Sequence, residues 1–273
     1  MEQRPVWAPA TVDLNTPSAA RLYDYYLGGN YNFAVDRQLA NRIYQALPEM
    51  PYLARVNRSF LGRAVRFCVS QGVRQFLDIG CGLPTLGSVH EIAQRVDPRC
   101  RVAYVDNEPV AVAHGELLLA GNPNAGIALA DVRDVHGVLN SKTVTRLLDF
   151  NEPVAVLMVA LLHFIPDADR PVEMIARYRE AMAPGSYLVL SHVSDDELPG
   201  VSHAAEFYKN SQNPVTLRGR AQVERLMGGF ELVDPGLVFC PDWRPDTPED
   251  TDEAAAHPPC SFYAGVGRRT EAP

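Results

Sequence analysis

Two hydrophobic patterns alternate along the chain beyond residue 74. Short apolar runs are separated by longer stretches in which apolar residues recur at the spacing of an amphipathic helix. The runs predict strands over residues 75–79, 101–106, 126–131, 154–160, 187–192, 231–239 and 261–266. The intervening stretches predict helices over residues 86–96, 109–120, 142–149, 171–182, 201–211 and 218–227. Such alternation is typical of a parallel sheet with helices on both faces, and we expect the last two strands to close it as an antiparallel pair.

The residues before the first strand follow a helical pattern. Helices are predicted from Ser18 to the Gly28-Gly29 pair and over 35–47 and 51–70. The residues before Ser18 are rich in proline and aperiodic, and we expect no helix there. The resulting division is an extended arm (1–17), a helical cap (18–60) and an α/β domain (61–273) that includes an exposed loop rich in proline and acidic residues (241–259).

The third of these helices carries a set of arginines. Apolar residues such as Leu53 recur along it at i, i+3, i+4 spacing, and this stripe predicts the buried face. Arg55, Arg58, Arg63 and Arg66 lie mostly off the stripe. We therefore expect the arginines to form a solvated face rather than an anion-binding site.

Composition and charge narrow the class of partner. Of the 273 residues, 47% are hydrophobic, and 33 acidic against 25 basic residues give a net charge of −8. Such a chain can bury a core but has no long-range attraction for nucleic acid or anionic lipid, and no apolar run approaches the ~20 residues that span a bilayer. We expect a small-molecule partner, no nucleic acid and no membrane, and the sequence leaves the oligomeric state open.

The cysteines and the N-terminus bear on the compartment. The five cysteines are odd in number and lack C-x-x-C spacing, so neither a disulfide framework nor a structural zinc site is predicted, and we expect no bound metal. The N-terminus has neither the apolar segment nor the cleavage signature of a signal peptide. These features predict a cytoplasmic protein with reduced thiols.

The most informative motif follows the first predicted strand, where Asp78, Gly80 and Gly82 form Asp-x-Gly-x-Gly just before a helix. Glycines permit a tight turn and a close approach of backbone to ligand, and the helix N-terminus favours an anionic or polar group. A dinucleotide site would have a third glycine where this chain has Thr85. Asp78, directly before the glycines, could hold a cationic amino group or orient the loop, and the motif therefore favours the aminoacyl end of S-adenosylmethionine over a pyrophosphate.

Two further carboxylates end the next two strands. Asp106 follows the glycines by about the distance at which an acidic residue accepts ribose hydroxyls, and Asp131 is placed to accept an adenine amino group. Singly, each of these residues could be an ordinary turn residue at a strand end. Together with Asp78 they place three acidic strand ends at the carboxyl edge of the sheet, where open α/β sheets bind their ligands.

On these residues the chain resembles the class I S-adenosylmethionine-dependent methyltransferases. Residues 161–167, Leu-Leu-His-Phe-Ile-Pro-Asp, match the segment that follows the fourth strand in members acting on small molecules, and residues 20–37 are similar to the N-terminal signature of an actinobacterial family. The resemblance implies a Rossmann-like fold with a seven-stranded, mostly parallel sheet, S-adenosylmethionine as cofactor and S-adenosylhomocysteine as product. It implies cofactor contacts from Asp78, Gly80, Cys81, Gly82, Asp106, Asn107, Asp131, Val132, Ala160 and Leu161.

Catalysis of methyl transfer depends mainly on alignment of donor and acceptor, and a general base is optional. His163 follows the fourth predicted strand and is the leading candidate for a base, although it could equally position the cofactor. His192 and Tyr208 are weaker candidates. The sequence leaves the methyl acceptor open.

The N-terminal signature is unusually rich in tyrosine, asparagine and aspartate around Gly28-Gly29. Buried tyrosine hydroxyls need partners, which favours a cap over the cofactor cleft, with the glycine pair as a hinge or a sharp reversal. The residues that we expect to approach the ligand are Arg21, Tyr26, Asn32 and Asp36. An ordinary packed helical extension is the alternative.

Three classes of function fit the sequence. The first is a methyltransferase acting on a small molecule. The second is a protein that binds S-adenosylmethionine or S-adenosylhomocysteine without catalysis. The third is a nicotinamide-dependent oxidoreductase, which Thr85 disfavours.

Overall fold

The computed structural model describes residues 13–83, 87–209, 211–246 and 259–270. Within them a single sheet has the strand order β3-β2-β1-β4-β5-β8-β6, and β7 also pairs with β8. Strands β1 to β5 are parallel, whereas β8 runs antiparallel to β5, β6 and β7. The strands are β1 (Gln75–Ile79), β2 (Arg101–Asp106), β3 (Ala125–Leu129), β4 (Ala155–Val159), β5 (Tyr187–Val193), β6 (Glu231–Leu232), β7 (Val238–Phe239) and β8 (Phe262–Arg268). The predicted α/β class and mostly parallel sheet are confirmed.

The helices agree closely with the hydrophobic pattern. They are α1 (Ala19–Tyr26), α2 (Ala34–Ala46), α3 (Met50–Ser70), α4 (Val89–Val96), α5 (Pro109–Leu118), α6 (Val135–Leu139), α7 (Lys142–Leu147), α8 (Pro171–Ala181), α9 (Gly200–Tyr208) and α10 (Arg220–Leu226). Helix α4 begins later than predicted because Ser88 is its N-cap, and the Glu91 carboxylate accepts the Ser88 amide. The short helix α6 was not predicted.

The sixth predicted strand, over 231–239, is interrupted. Its two ends form β6 and β7, while Pro235 and Gly236 lie in a turn between them. Gly236 has a φ of +86°, which favours glycine, and proline cannot donate to a sheet ladder. Both ends still pair with β8, so the predicted antiparallel closure is present.

Two apolar layers pack on opposite faces of the sheet, and α3 belongs to the larger one. The expectation that its arginines form a solvated face is half right. Arg55 and Arg66 are exposed, but Arg63 is buried and donates to the carbonyls of Trp243 and Cys240. Because these carbonyls need donors, Arg63 fixes the segment after β7 onto α3.

Two predicted segments fall largely outside the described residues. Of the predicted arm, residues 13–17 are described and contain neither helix nor strand. Of the predicted exposed loop over 241–259, residues 247–258 lie outside the described part.

Candidate functional site

A cavity of about 480 Å³ opens at the carboxyl ends of β1 to β4. Helices α1 and α3 close it on one side, and the segments after β4 and α9 close it on the other. Most of the site residues that the sequence singled out line this cavity: Tyr26, Asp78, Gly80, Cys81, Gly82, Asp106, Asn107, Asp131, Val132, Ala160, Leu161 and His163. Residues separated by more than a hundred positions thus meet in one concave site.

The glycine loop after β1 has the backbone shape that the motif predicts. Gly80 and Gly82 have φ values of +71° and +63°, a backbone conformation that residues other than glycine rarely adopt. A Cβ on Gly80 would lie 2.5 Å from Leu161 Cδ1, whereas no atom of the described residues, apart from the chain neighbours, lies within 4 Å of one on Gly82. The described residues therefore leave open space beside Gly82.

Two buried carboxylates face this loop. The Asp106 carboxylate accepts the amides of Gly82 (2.7 Å) and Glu108 (2.8 Å) and so ties the glycine loop to the end of β2. Burial raises the pKa of Asp106 to about 6 despite these bonds. Burial also raises the pKa of Asp78 to about 7, although the nearby charge of Arg58 opposes the shift. Both groups hold a proton more readily than free carboxylates, because burial penalises the charged form.

The end of β3 carries a carboxylate that already has a partner. Arg133 donates to both oxygens of Asp131, at 2.9 and 2.5 Å, and this pairing holds the pKa of Asp131 below its usual range. Val132 is buried, and its carbonyl accepts the Tyr178 hydroxyl at 2.9 Å. The Arg133 amide (2.9 Å) and the Asn107 side chain also donate to this carboxylate, so a ligand that bonds to Asp131 must replace one of these donors.

The end of β4 is strained where it meets the cavity. Ala160 has a φ of +54°, which is uncommon for a residue with a side chain. Its amide bonds to the Ser191 carbonyl (3.2 Å) and hydroxyl (2.9 Å), and these contacts hold the conformation. Such strained residues cluster at ligand sites.

His163 lies in the cavity wall just after β4, and its Nδ1 is buried without a hydrogen-bond partner. Burial, reinforced by His192 and Arg218, holds its pKa well below the usual value, so the imidazole is neutral near pH 7. An unpartnered buried nitrogen costs about 1–3 kcal/mol, which makes a ligand contact favourable there.

Arg218 holds the segment that carries His163. It is buried and donates to the carbonyls of Leu162 (2.9 Å) and Ile165 (2.7 Å), on either side of that histidine. It also donates to His192 Nε2 at 3.0 Å. Because arginine is always a donor, this bond occupies the lone pair of His192, and His192 cannot act as a base here.

A group of aromatic side chains forms another part of the cavity wall. We define this aromatic wall as Tyr23, Tyr26, His163, Phe164, Tyr208 and Phe262, all of which line the cavity. The hydroxyls of Tyr26 and Tyr208 lie 3.0 Å apart and join α1 to α9. Burial raises the pKa of Tyr208 to about 12 and that of Tyr26 well above its usual value, so both phenols stay neutral.

Three of the N-terminal residues expected to approach a ligand do not line the cavity. Arg21 and Asp36 are fully buried as an ion pair at 2.7 Å, and Asp36 also accepts the amides of Ser18 and Phe33. Asn32 donates to the Gly29 carbonyl at 2.9 Å. These polar groups hold α1 and α2 together. Of the four N-terminal residues expected to approach a ligand, Tyr26 alone lines the cavity.

The Gly28-Gly29 pair makes a sharp reversal, the second of the two possibilities. Asp24 organises it: its carbonyl accepts the Gly29 amide at 2.8 Å, and its carboxylate accepts the Tyr31 amide at 2.9 Å. A Cβ on Gly29 would lie 1.9 Å from Asp24 Oδ1, so this position excludes other residues. These contacts argue against a hinge.

Two polar residues of α3 line the cavity against expectation: sequence reasoning assigned Arg58 to a solvated face and did not single out Asn57. Arg58 lines the cavity near Asp78, and Asn57 lines it while donating to the Tyr23 hydroxyl at 2.8 Å. The position of Arg58 off the apolar stripe was visible in the sequence. Its docking against the glycine loop depends on how α3 packs on the sheet.

The described residues add three further observations. All five cysteines are free thiols. No helix in this part of the chain is long and apolar enough to cross a membrane. No cluster of three or more His, Cys, Asp or Glu side chains in this part could hold a metal ion.

Comparison with known proteins agrees with this geometry. Two solved structures are similar over nearly the whole chain. A candidate methyltransferase from Thermobifida fusca YX is 40% identical with a TM-score of 0.91, covering 97% of this chain and 100% of that one. A DUF574 family protein from Streptomyces avermitilis MA-4680 is 34% identical with a TM-score of 0.86, covering 94% and 99%.

A curated relative matches a shorter region. Carboxy-S-adenosyl-L-methionine synthase from Citrifermentans bemidjiense is 33% identical over 120 residues, and the match covers 42% of each protein, less than half of the relative's length. The profile of one family, S-adenosyl methyltransferase, matches residues 5–270. Because that match extends over nearly the whole sequence, the chain belongs to the S-adenosyl methyltransferase family.

Proposed function

We propose that this protein binds S-adenosylmethionine across the carboxyl ends of β1 to β4 and transfers its methyl group to a small-molecule acceptor. One observation carries the proposal: the glycine loop and the Asp78, Asp106 and Asp131 carboxylates meet in one cavity. Membership of the family supports the cofactor. The open space beside Gly82 and the buried, incompletely partnered Asp78 fit a ligand that brings a cationic amino group.

Each group in the cavity has a proposed role toward the cofactor. Asp78 holds the amino group, Arg58 the carboxylate, and Asp106 the ribose hydroxyls. Asp131 accepts a hydrogen bond from the adenine amino group, and the Val132 amide donates one to an adenine ring nitrogen. When bound, the cofactor supplies an electrophilic methyl group on a sulfonium. The chain's own task is to align the acceptor with that methyl group and to exclude water.

Calorimetry on the purified protein tests cofactor binding with S-adenosylmethionine, S-adenosylhomocysteine and NAD as separate ligands. We expect the first two to bind and NAD not to bind. Binding of NAD alone would refute the assignment.

Asp106→Ala removes the proposed bonds to the ribose. Hydrogen bonds to a charged group contribute about 1.5–3 kcal/mol each, so we expect affinity for S-adenosylhomocysteine to fall at least about tenfold. Glu152→Gln is the matched control, because the Glu152 side chain is 66% exposed and does not line the cavity. An unchanged dissociation constant in folded Asp106→Ala protein would show that this carboxylate does not bind the ribose.

A protein that binds the cofactor without catalysis is the second candidate. Methyl release from S-adenosylmethionine in the presence of an acceptor separates the two, because only a transferase produces S-adenosylhomocysteine. We further propose that the protein acts in the cytoplasm and does not bind nucleic acid, on the free thiols and the net charge of −8.

A further inference from the structure

The cavity has two walls of different chemistry. The ends of β1 to β3 contribute every carboxylate among the described residues that line it: Asp78, Asp106, Glu108 and Asp131. The other wall comes from α1, α3, α9 and the segments after β4 and α9. Because the proposed function places the polar groups of the cofactor on the carboxylates at the ends of β1 to β3, this second wall faces the acceptor.

The acceptor side carries almost no charge. Among its described lining residues, Arg58 alone is ionic, and it lies near Asp78, where the proposed function assigns it to the cofactor. The remaining polar groups on this side are hydroxyls, amides and the His163 imidazole. A charged acceptor would therefore lose its hydration without gaining a counter-ion, which is strongly unfavourable.

The titratable groups of the aromatic wall are also neutral. Burial raises the pKa of Tyr23, Tyr26 and Tyr208, and it lowers the pKa of His163 well below its usual value. The groups packed against His163 reinforce this state: Arg218 carries a positive charge, and the rings of Phe164 and Phe262 lie 4.2 and 6.1 Å from the imidazole. A protonated His163 is thus disfavoured before the acceptor binds.

Shape and hydrogen bonding define the acceptor further. Flat rings from Tyr26, Phe164 and Tyr208 line its space, and such rings pack best against another planar system. His163 has a buried ring nitrogen without a partner, and Ser18, also in the cavity wall, has an unpartnered buried hydroxyl. Because the proton affinity of the His163 imidazole is low, it takes a proton more readily from a phenol-type hydroxyl, whose pKa is about 10, than from an alcohol, which is far less acidic.

We infer that the methyl acceptor is a neutral, planar aromatic compound with a phenol-type hydroxyl, and that His163 accepts the proton of that hydroxyl. This inference rests on the proposed function. The hydroxyl oxygen forms its bond to the methyl carbon as the sulfur–methyl bond breaks, the proton passes to the His163 imidazole, and the positive charge moves from sulfur to that imidazole. The aromatic wall positions the ring of the acceptor.

Binding of ring-matched probes to the protein saturated with S-adenosylhomocysteine tests the class. The probes are 2-naphthol, 2-methoxynaphthalene, 2-naphthoate and 2-naphthylmethylamine, measured by calorimetry. We expect 2-naphthol to bind at least about tenfold more tightly than the anion or the cation. Equal or tighter binding of either charged probe, or binding of none of the four at millimolar concentration, would overturn the inference.

His163→Leu tests the role of the imidazole without relying on activity. The wild type should prefer 2-naphthol to 2-methoxynaphthalene, which has no proton to donate, and the variant should lose this preference. His203→Leu, at an exposed position of α9, is the matched control and should keep it. A preference that survives in His163→Leu protein contradicts the assignment.

The two proposals fail separately. S-adenosylhomocysteine binding is measured first for each protein, and its absence from the wild type contradicts the proposed function. Normal binding of S-adenosylhomocysteine together with the wrong order of probes contradicts only the acceptor class.

Discussion

The affinity for the cofactor should depend steeply on pH, because two of its proposed anchors are carboxyl groups with raised pKa values. Burial raises the pKa of Asp78 to about 7 and that of Asp106 to about 6. Each group binds the cofactor in its ionised form, so protonation competes with binding. For one such group the apparent dissociation constant rises by the factor 1 + 10^(pKa − pH).

This relation gives the size of the effect. When the pH falls from 7.5 to 5.5, protonation of Asp78 weakens binding about 25-fold and protonation of Asp106 about fourfold, or about 100-fold together. An amino group of the cofactor begins to lose its proton near pH 7.7–8.0, so affinity should be greatest near pH 7.5. The two carboxyls influence each other, and the measured titration belongs to the pair.

Calorimetry with S-adenosylhomocysteine at pH 5.5 and pH 7.5 measures this dependence. Repeating it at pH 6.5 in buffers of different ionisation enthalpy reports the protons that binding releases. Asp78→Asn removes the larger contribution, and the ratio of affinities should fall to about four, the part due to Asp106. A wild-type affinity that changes less than threefold between these pH values would refute the reasoning.

The same two carboxyl groups should also make the stability of the ligand-free protein depend on pH. The unfolded chain ionises these carboxyls near pH 4, whereas the folded chain holds their protons until pH 6–7. The contribution of these two groups to stability therefore falls as the pH rises from about 4 to 7, opposite to that of a carboxylate stabilised by a salt bridge. Asp78→Asn should raise the melting temperature of the empty protein at pH 7.5 while weakening the cofactor, a trade-off typical of functional sites.

Two further predictions concern the N-terminal signature. Arg21→Met leaves Asp36 buried without its cation and should lower the free energy of unfolding by about 3–5 kcal/mol, or the melting temperature measured by calorimetry by about 6–20 °C. A double variant that also carries Asp36→Asn should recover part of this loss, and equal melting temperatures for the Arg21→Met variant and the wild type would contradict the role of the ion pair. Gly29→Ala places a Cβ against Asp24 and should lower the melting temperature. Gly62→Ala in α3 is the control and should not, because its added Cβ would lie no closer than 3.4 Å to another side chain. Equal effects of the two substitutions would contradict the proposed crowding.

The fold could be predicted from the sequence because its signal is local. Each buried parallel strand is a continuous apolar run, and each helix shows its own period. The failures occur where tertiary context decides. Residues 231–239 have the composition of one strand, but Gly236 turns the chain within it. Helix α6 is one short segment whose periodicity is too brief to recognise.

The strand-end residues of the site were also accessible to sequence reasoning. Asp78, Asp106 and Asp131 follow strands, and parallel strands end at one edge, so their convergence follows from the order of elements alone. Arg58 and Asn57 lie on α3, and no periodicity states which part of the sheet edge that helix will face. The pairing of Tyr26 with Tyr208 depends on the docking of α1 against α9, which are far apart in sequence.

The signature around Arg21 shows why charged residues in a recognisable motif need not touch a ligand. The pattern of alternating charge and amide is the same whether the groups meet a ligand or one another. In the structure they meet one another, and Arg21 also donates to Glu108 at 3.3 Å. The Glu108 amide donates to Asp106, whose carboxylate holds the glycine loop through Gly82. The motif therefore acts on the site indirectly. The Asp36–Arg21 pair positions Glu108, and the Glu108 amide fixes the Asp106 carboxylate, which is proposed to hold the ribose. Disruption of that pair should therefore weaken cofactor binding even in variants that remain folded, without any contact between Arg21 and the ligand.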